Sequence, residues 1–371
     1  MPFRVQEAEL NSILFRTDSS IIMGSGHVMR CLTLADELKK KGCKTLFVSR
    51  DLPGQNFKEI ESRGHCLKIL PRPKDYFDVN INKNSYEEWM GVTQEYDAEE
   101  FKNVLIDEKF DWIVVDHYSL GQEWEKQMKN ISEKILVFDD LVERKHECNL
   151  LLNHTNLPGI KKKYKGLVSN NTKLLLGPRY LLLSPIFLKT KKRQPNKNGI
   201  IKRIFIYYGS IDTSNETGKA IESLIIMDRR EIIVDVVIGR NNVNMEKIKI
   251  LVSKMKNAYL HVQLPYLAEI MAKADLALCA GGYTLWEQIF LGLPSLVTGI
   301  AENQVKPAII LDKKGCLIWL GLSENVFVDQ IISKLQMLFE HPELLINQSK
   351  MKMDLVDGLG VERVVRKMML L

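Results

Sequence analysis

The stretch SILFRTDSSIIMGSGHVMRCLTLADELKK, residues 12–40, decides the fold. Ser12–Phe15 is a short apolar run bounded by polar residues, which suits a buried strand. A polar turn carrying Gly24 and Gly26 follows, and from Val28 to Lys40 the residues Met29, Leu32, Ala35 and Leu38 recur on one helical face. Strand, glycine turn and amphipathic helix in this order open a parallel α/β layer. The alternation continues, with candidate strands at Thr45–Val48, Leu67–Leu70, Trp112–Val115, Ile135–Phe138 and Leu150–Leu152 in the first half. The second half offers Ile204–Tyr207, Ile233–Ile238, Tyr259–Val262, Leu276–Cys279, Ser295–Val297 and Leu317–Leu320. Between the halves, Lys189–Gly199 (KTKKRQPNKNG) is polar and basic and reads as a linker, while Arg72–Gln94 lacks periodicity and reads as an irregular excursion. The expected fold is α/β, with two doubly wound parallel-sheet (Rossmann-like) domains at residues 1–190 and 199–371. Open parallel sheets bind ligands beyond the carboxyl ends of their strands, so the site is expected in a cleft between the domains.

Composition bounds the function. The 371 residues are 45% hydrophobic and 26% charged, as in an ordinary folded protein. Lys and Arg number 52 against 46 Asp and Glu, a formal charge of +6. That surplus suits an anionic ligand and is too scattered for a nucleic-acid surface. The six cysteines form no CxxC pair and no zinc-type cluster, which fits free thiols in a reducing compartment. The N-terminus, Met1 to Glu9, lacks the apolar core of a signal peptide, and no run approaches the roughly 20 apolar residues of a membrane span. A cytoplasmic location without membrane insertion is expected, as a monomer or homodimer.

The chemistry-bearing residues cluster after the strands. Gly24-Ser25-Gly26-His27 opens the first helix, where two glycines admit backbone N–H groups to an anion. His27 is expected there as an exposed, neutral base, against the alternative of a capping or core histidine. Asp116-His117-Tyr118-Ser119 ends the fourth strand, and its side chains suit sugar hydroxyls or a catalytic partner unless Asp116 only caps a helix. Phe138-Asp139-Asp140 repeats the theme and reads first as a turn or cap. In the second half, Tyr207-Tyr208-Gly209-Ser210-Ile211-Asp212-Thr213-Ser214-Asn215 offers small and hydroxyl residues that can wrap a diphosphate. In Cys279-Ala280-Gly281-Gly282-Tyr283-Thr284-Leu285-Trp286-Glu287 the glycines and helix start suit a pyrophosphate, and Glu287 is spaced to accept both ribose hydroxyls, a tight turn and a solvated glutamate being the alternative. Ala301-Glu302-Asn303-Gln304 brings amides to the same side, toward phosphate or sugar.

Together these segments resemble the PseG/SpsG-type nucleotide-sugar hydrolases. The likeness rests on Arg16-Thr17-Asp18, Gly24 to Ala35, Asp116-His117-Tyr118, Phe138-Asp139-Asp140 and Leu150-Leu151-Leu152-Asn153. It continues through Leu176-Gly177-Pro178-Arg179-Tyr180 with Leu183, Ser210-Ile211-Asp212 with Asn215 and Thr217, Gly281-Gly282-Tyr283-Thr284 with Glu287, and Ala301 to Gln304. The resemblance implies a GT-B fold related to MurG and a UDP-sugar substrate of the 2,4-diacetamido-2,4,6-trideoxyhexose type, as used in pseudaminic acid synthesis. It implies inverting hydrolysis without a metal or organic cofactor. His27 would activate water; Gly209, Ser210 and the Gly281-Gly282-Tyr283-Thr284 turn would bind the diphosphate; Glu287 would hold the ribose. Asp18, Gly26, Arg30, Asp116, His117, Tyr118, Asn303 and Gln304 would surround the sugar and the water. Tyr208 replaces a glycine of the family pattern and Ile211 adds bulk, which is expected to narrow the approach to the phosphates. A glycosyltransferase using the same donor is the main rival, ahead of a binding protein without catalysis and an epimerase.

Overall fold

The computed structural model describes residues 11–74, 76, 86–155, 158–190 and 198–371. The N-terminal nonapeptide, residues 75 and 77–85 of the excursion after Arg72, and most of the basic linker lie outside the described residues. Two units divide the chain: one runs to Leu183 and takes in Leu359–Leu371, and the other is Ser184–Gly358.

The first unit is built on seven parallel strands, β1 (Ser12–Thr17), β2 (Lys44–Arg50), β3 (Cys66–Leu70), β4 (Trp112–Asp116), β5 (Ile135–Phe138), β6 (Leu150–Asn153) and β7 (Lys173–Leu176). Their order is β3-β2-β1-β4-β5-β6-β7, so the winding reverses between β1 and β4. The inner strands β4, β5 and β6 are buried along their whole length, which is why they read as continuous apolar runs. The edge strand β7 is a four-residue KLLL segment with an exposed lysine, too short for the sequence pattern to separate from its surroundings.

The helix Gly26–Lys40 packs Val28, Cys31, Leu32, Ala35 and Leu38 into the core, with Met29 at its margin. Against it lies the last helix, Gly360–Met369, whose Val361, Val364, Val365 and Met368 complete the same core. The expected boundaries put this helix in the second domain; its apolar stripe instead fills the first. The short helix Pro185–Thr190 conversely belongs to the second unit.

The second unit holds six parallel strands, β8 (Arg203–Tyr207), β9 (Ile233–Ile238), β10 (Ala258–Val262), β11 (Leu276–Ala280), β12 (Ser295–Gly299) and β13 (Ile318–Leu322), in the order β10-β9-β8-β11-β12-β13. Its winding reverses between β8 and β11. Each reversal opens a crevice at the carboxyl ends of two adjacent strands, and the polar segments singled out above follow those strands. Among the described residues, no helix is long and apolar enough to cross a membrane.

The final helix starts where backbones meet: a Cβ on Gly360 would lie 2.1 Å from the carbonyl oxygen of Leu181 and 2.7 Å from the carbonyl carbon of Tyr180. Gly360→Ala is expected to destabilise the protein by about 1–3 kcal/mol despite alanine's better helix propensity. Urea unfolding measures this, and an unchanged midpoint would show that the helix needs no such close approach.

Candidate active site

In the first unit the site is organised by one carboxylate. β1 and β4 pair in register, Thr17 beside Asp116, and the Gly26–Lys40 helix starts beyond the end of β1. His27, Arg30 and Cys31 stand at i, i+3 and i+4 of that helix and all reach Asp116. His27 Nδ1 lies 2.7 Å from Asp116 Oδ1, Arg30 Nε donates to Oδ2 at 2.5 Å and Nη2 to Oδ1 at 2.6 Å, and the Cys31 thiol is 3.7 Å from Oδ2. Asp116 is fully buried. Burial opposes its charge, yet Arg30 and His27 hold its carboxyl well below the usual range.

An ionised Asp116 accepts from His27 Nδ1–H, which leaves Nε2 as the imidazole's acceptor. Among the described residues nothing hydrogen-bonds to Nε2. The residue is only 8% exposed, with the Tyr118 ring edge-on at 4.5 Å. The expectation of an exposed histidine is thus corrected: the carboxylate draws the ring inward and fixes its tautomer. Gly26 is exposed at the start of this helix, where no side chain caps the N-terminus.

Arg30 also bridges outward, its Nη1 donating to Asp140 Oδ2 at 2.6 Å. The Tyr118 hydroxyl donates to the same oxygen at 3.0 Å, and His154 Nδ1 lies 3.3 Å from Asp140 Oδ1. Burial lowers His154 to about 4, so it is neutral at ordinary pH. Asp139, by contrast, forms a turn, its Oδ1 accepting from the Leu141 amide at 3.1 Å.

Asp18 and His117 lie one layer deeper. Asp18 accepts from Arg16 Nη1 (2.5 Å) and Nη2 (2.9 Å), the Arg50 amide (2.7 Å) and Ser49 Oγ (3.2 Å). His117 Nε2 lies 3.1 Å from Asp18 Oδ2, while the Ser119 amide donates to Nδ1, so the ring proton sits on Nε2 and faces Asp18. Both side chains are buried. The expectation that they surround a sugar is corrected, because protein donors and acceptors already occupy them. Asp97 completes this layer, bonded to Arg16, Arg50 and Trp124 Nε1.

In the second unit the residues after β8, β11 and β12 are neighbours through the strand order. Gly209 takes φ +91°, a left-handed conformation that favours glycine. Tyr208 is fully buried in the core. The expected narrowing by this residue is therefore corrected: the ring fills the core instead of covering the turn. Ser210 and Ile211 are half-buried. Asp212 caps the Glu216–Met227 helix, accepting from the amides of Glu216 (3.0 Å) and Thr217 (2.9 Å), so its carboxylate takes the place an anionic ligand would occupy there.

The Tyr283–Leu291 helix differs. Its N-cap is Gly282, which has no side chain to cap the helix with, and no acidic residue stands in its first turn. Gln304 lies across the glycine pair and accepts from the Ile300 amide at 3.0 Å; a Cβ on Gly281 would meet Gln304 Cβ at 3.1 Å. Tyr283, Thr284 and Asn303 are half-buried beside this turn. Glu287, also half-buried, makes no hydrogen bond or ion pair among the described residues, and burial pushes its carboxyl up to about 8.

No protein-family model matches the chain. The chain is 27% identical over 343 residues to an uncharacterized protein of Methanocaldococcus jannaschii, covering 90% of this chain and 63% of that relative. It thus spans less than two thirds of that relative's length. It is 24% identical over 350 residues to the spore coat polysaccharide biosynthesis protein SpsG of Bacillus subtilis, covering 94% of each. It is 25% identical over 304 residues to the UDP-2,4-diacetamido-2,4,6-trideoxy-beta-L-altropyranose hydrolase of Campylobacter jejuni, covering 82% of this chain and 97% of that one. Among solved structures, Acinetobacter baumannii MurG matches with a TM-score of 0.61 at 12% identity, over 97% of this chain and all of that one. LpCGTa, solved in complex with UDP, matches with a TM-score of 0.67 at 13% identity, over 97% and 99%. The two parallel sheets have the GT-B fold.

A carboxyl raised from 4.5 to about 8 favours the folded state in its neutral form, so its contribution is present below about pH 4.5 and is lost as pH rises toward 8. Glu287→Gln carries no such titration. Its stability relative to the parent is expected to rise by roughly 1–2 kcal/mol between about pH 5 and 8, the half-burial screening the rest. Urea unfolding at both pH values measures the difference, and parallel curves would sink the assignment.

Proposed function

We propose that this protein hydrolyses a nucleotide-activated amino-deoxy sugar, UDP-linked and of the diacetamido-trideoxyhexose type, to the nucleoside diphosphate and the free sugar with inversion. The observation that carries the reading is the His27–Asp116 pair, which presents an imidazole with its Nδ1 committed and its Nε2 open. Water attacks the anomeric carbon as Nε2 takes its proton; the bond from that carbon to the phosphate oxygen breaks, and the nucleoside diphosphate leaves with the electron pair. A diphosphate is a good leaving group, so one base suffices. Attack opposite to departure inverts the anomeric centre.

The helix start at Gly281-Gly282-Tyr283-Thr284, with a glycine at its N-cap, would supply amides for the diphosphate, joined by Gly209 and the Ser210 hydroxyl. Glu287, without a hydrogen-bond or ion-pair partner among the described residues, would accept the ribose hydroxyls. Gly26, Tyr118, Asn303 and Gln304 are the residues assigned to the sugar and the water, while Asp116 and Arg30 orient the base and Asp18 and His117 belong to a separate buried network with Arg16. Surface-glycan assembly, including nonulosonic acid synthesis, is the setting in which such a free sugar would be used, and similarity to SpsG and to the C. jejuni hydrolase supports it. The GT-B likeness to MurG keeps a glycosyltransferase as the second reading.

The test incubates the purified protein with UDP- and CDP-linked amino-deoxy sugars, without acceptor, and follows nucleotide release by chromatography. Release of UDP with a reducing sugar is expected, and His27→Asn is expected to lower kcat by about 10²–10⁴-fold with KM little changed. Full activity in His27→Asn would remove His27 as the base. Transfer only after an acceptor extract is added would hand the chain to the glycosyltransferases.

A further inference from the structure

We infer that Asp140 is a positioning residue of the site, a carboxylate bonded both to Arg30, which holds Asp116 and lies 3.4 Å from His27 Nδ1, and to Tyr118, whose ring packs on the His27 imidazole. This rests on the reading of His27 as the base. Two arms converge on Asp140 Oδ2. One runs through Arg30, whose Nη1 donates to Asp140 at 2.6 Å while its Nε and Nη2 hold Asp116, the acceptor of His27 Nδ1–H. The other runs through Tyr118, whose hydroxyl donates to the same oxygen at 3.0 Å and whose ring meets the His27 ring edge-on at 89°. The imidazole thus meets the Asp116 carboxylate and the perpendicular Tyr118 ring, and Arg30 and Tyr118 both donate to the same Asp140 oxygen.

The loop after β5 is built to present that atom. The Asp139 carboxylate turns back to accept from the amides of Leu141 and Val142. Val142 adopts φ +62°, a left-handed conformation that a β-branched residue takes only under constraint. Two residues on, Arg144 Nη1 donates to the carbonyls of His117, Tyr118 and Leu120. The loop therefore grips the Tyr118 segment twice, through Asp140 on the side chain and through Arg144 on the backbone. His154, on the other carboxylate oxygen of Asp140, is held neutral by burial and so leaves the full anionic charge to Arg30 and Tyr118. A carboxylate needed only for stability would require neither a strained loop nor two donors that both terminate at one histidine.

The experiment follows the His27 Nδ1–H proton in the full-length protein labelled with ¹⁵N-histidine and assigned with His27→Gln, in parallel with kcat and KM for UDP release. In the parent this proton, shared with Asp116, resonates far downfield. Asp140→Asn is expected to shift or broaden it and to lower kcat at least tenfold with KM within threefold. Tyr118→Phe, which keeps the ring and removes one arm, should do both to a smaller degree and keeps the test open if Asp140→Asn does not fold. Asp36→Asn, in the separate Asp36–His65–Arg63 cluster, should leave both readouts unchanged. An unchanged His27 resonance in Asp140→Asn and Tyr118→Phe overturns the inference, whatever happens to kcat. If the parent releases no nucleotide, the hydrolase reading falls while the resonance still decides the role of Asp140.

Discussion

A carboxylate with no exposure sits at the end of β4, and the first unit is arranged around keeping it charged. Removing an ion from water costs several kcal/mol unless donors surround it. Asp116 finds them on one face of one helix, at His27, Arg30 and Cys31. Because the three donors share a rigid element, satisfying the carboxylate also fixes how the helix sits against the ends of β1 and β4. The imidazole is oriented as a consequence of the same bonds. Asp18 repeats the device one strand over, bound to Arg16, a backbone amide and His117. Two adjacent strands therefore end in compensated ions, which is a stiffer ending than a flexible polar loop would give.

The second unit follows the opposite logic. Its Tyr283–Leu291 helix starts at Gly282, which has no side chain to cap it, and Glu287 has no hydrogen-bond or ion-pair partner among the described residues, whereas the neighbouring Glu216–Met227 helix is capped by its own Asp212. The base of the proposed reaction would have to be aimed before substrate arrives, and His27 has its Asp116 partner built in. Groups that bind a ligand do better left unpaired in the free protein, since each internal bond would have to be broken on binding. Burial of Glu287 without an ion-pair partner among the described residues raises its carboxyl to about 8.

The fold was legible because strand and helix periods are local properties. Every strand proposed from the apolar runs is present, and the one that escaped, β7, is the sheet's edge strand, with an exposed lysine and only one buried residue. The packing of the Gly360–Met369 helix on the first unit was not legible, since an apolar stripe states that it is buried but not against what. The site was legible as positions and less so as roles. His27, Arg30 and Asp116 stand out as polar residues after a strand or at a helix start, and the i, i+3, i+4 spacing of His27, Arg30 and Cys31 was available to show that they share a target. The depth of Asp18 and His117 was not available, because it depends on Arg16, Asp97 and Arg50, whose convergence only the tertiary structure reveals. Likewise Tyr208 beside Gly209 suggests an obstructed turn until the strand's alternation is known to send its ring into the core.

The charge pattern around His27 bears on why a carboxylate pair flanks a single guanidinium. Asp116 and Asp140 both bond to Arg30, and His154 stays neutral above about pH 4. Counting Asp116, Asp140 and Arg30 alone, the formal charges leave an excess of one negative charge while His27 is unprotonated. When His27 takes a proton in the proposed reaction, the imidazolium neutralises that excess. Charge then appears where an opposite charge already waits, in surroundings that screen it poorly and need no reorganisation. A lone Asp116 fully neutralised by Arg30 would orient the ring equally well but would offer the imidazolium far less. In the proposed reaction the second carboxylate, Asp140, adds a negative charge to the cluster in which an imidazolium would form.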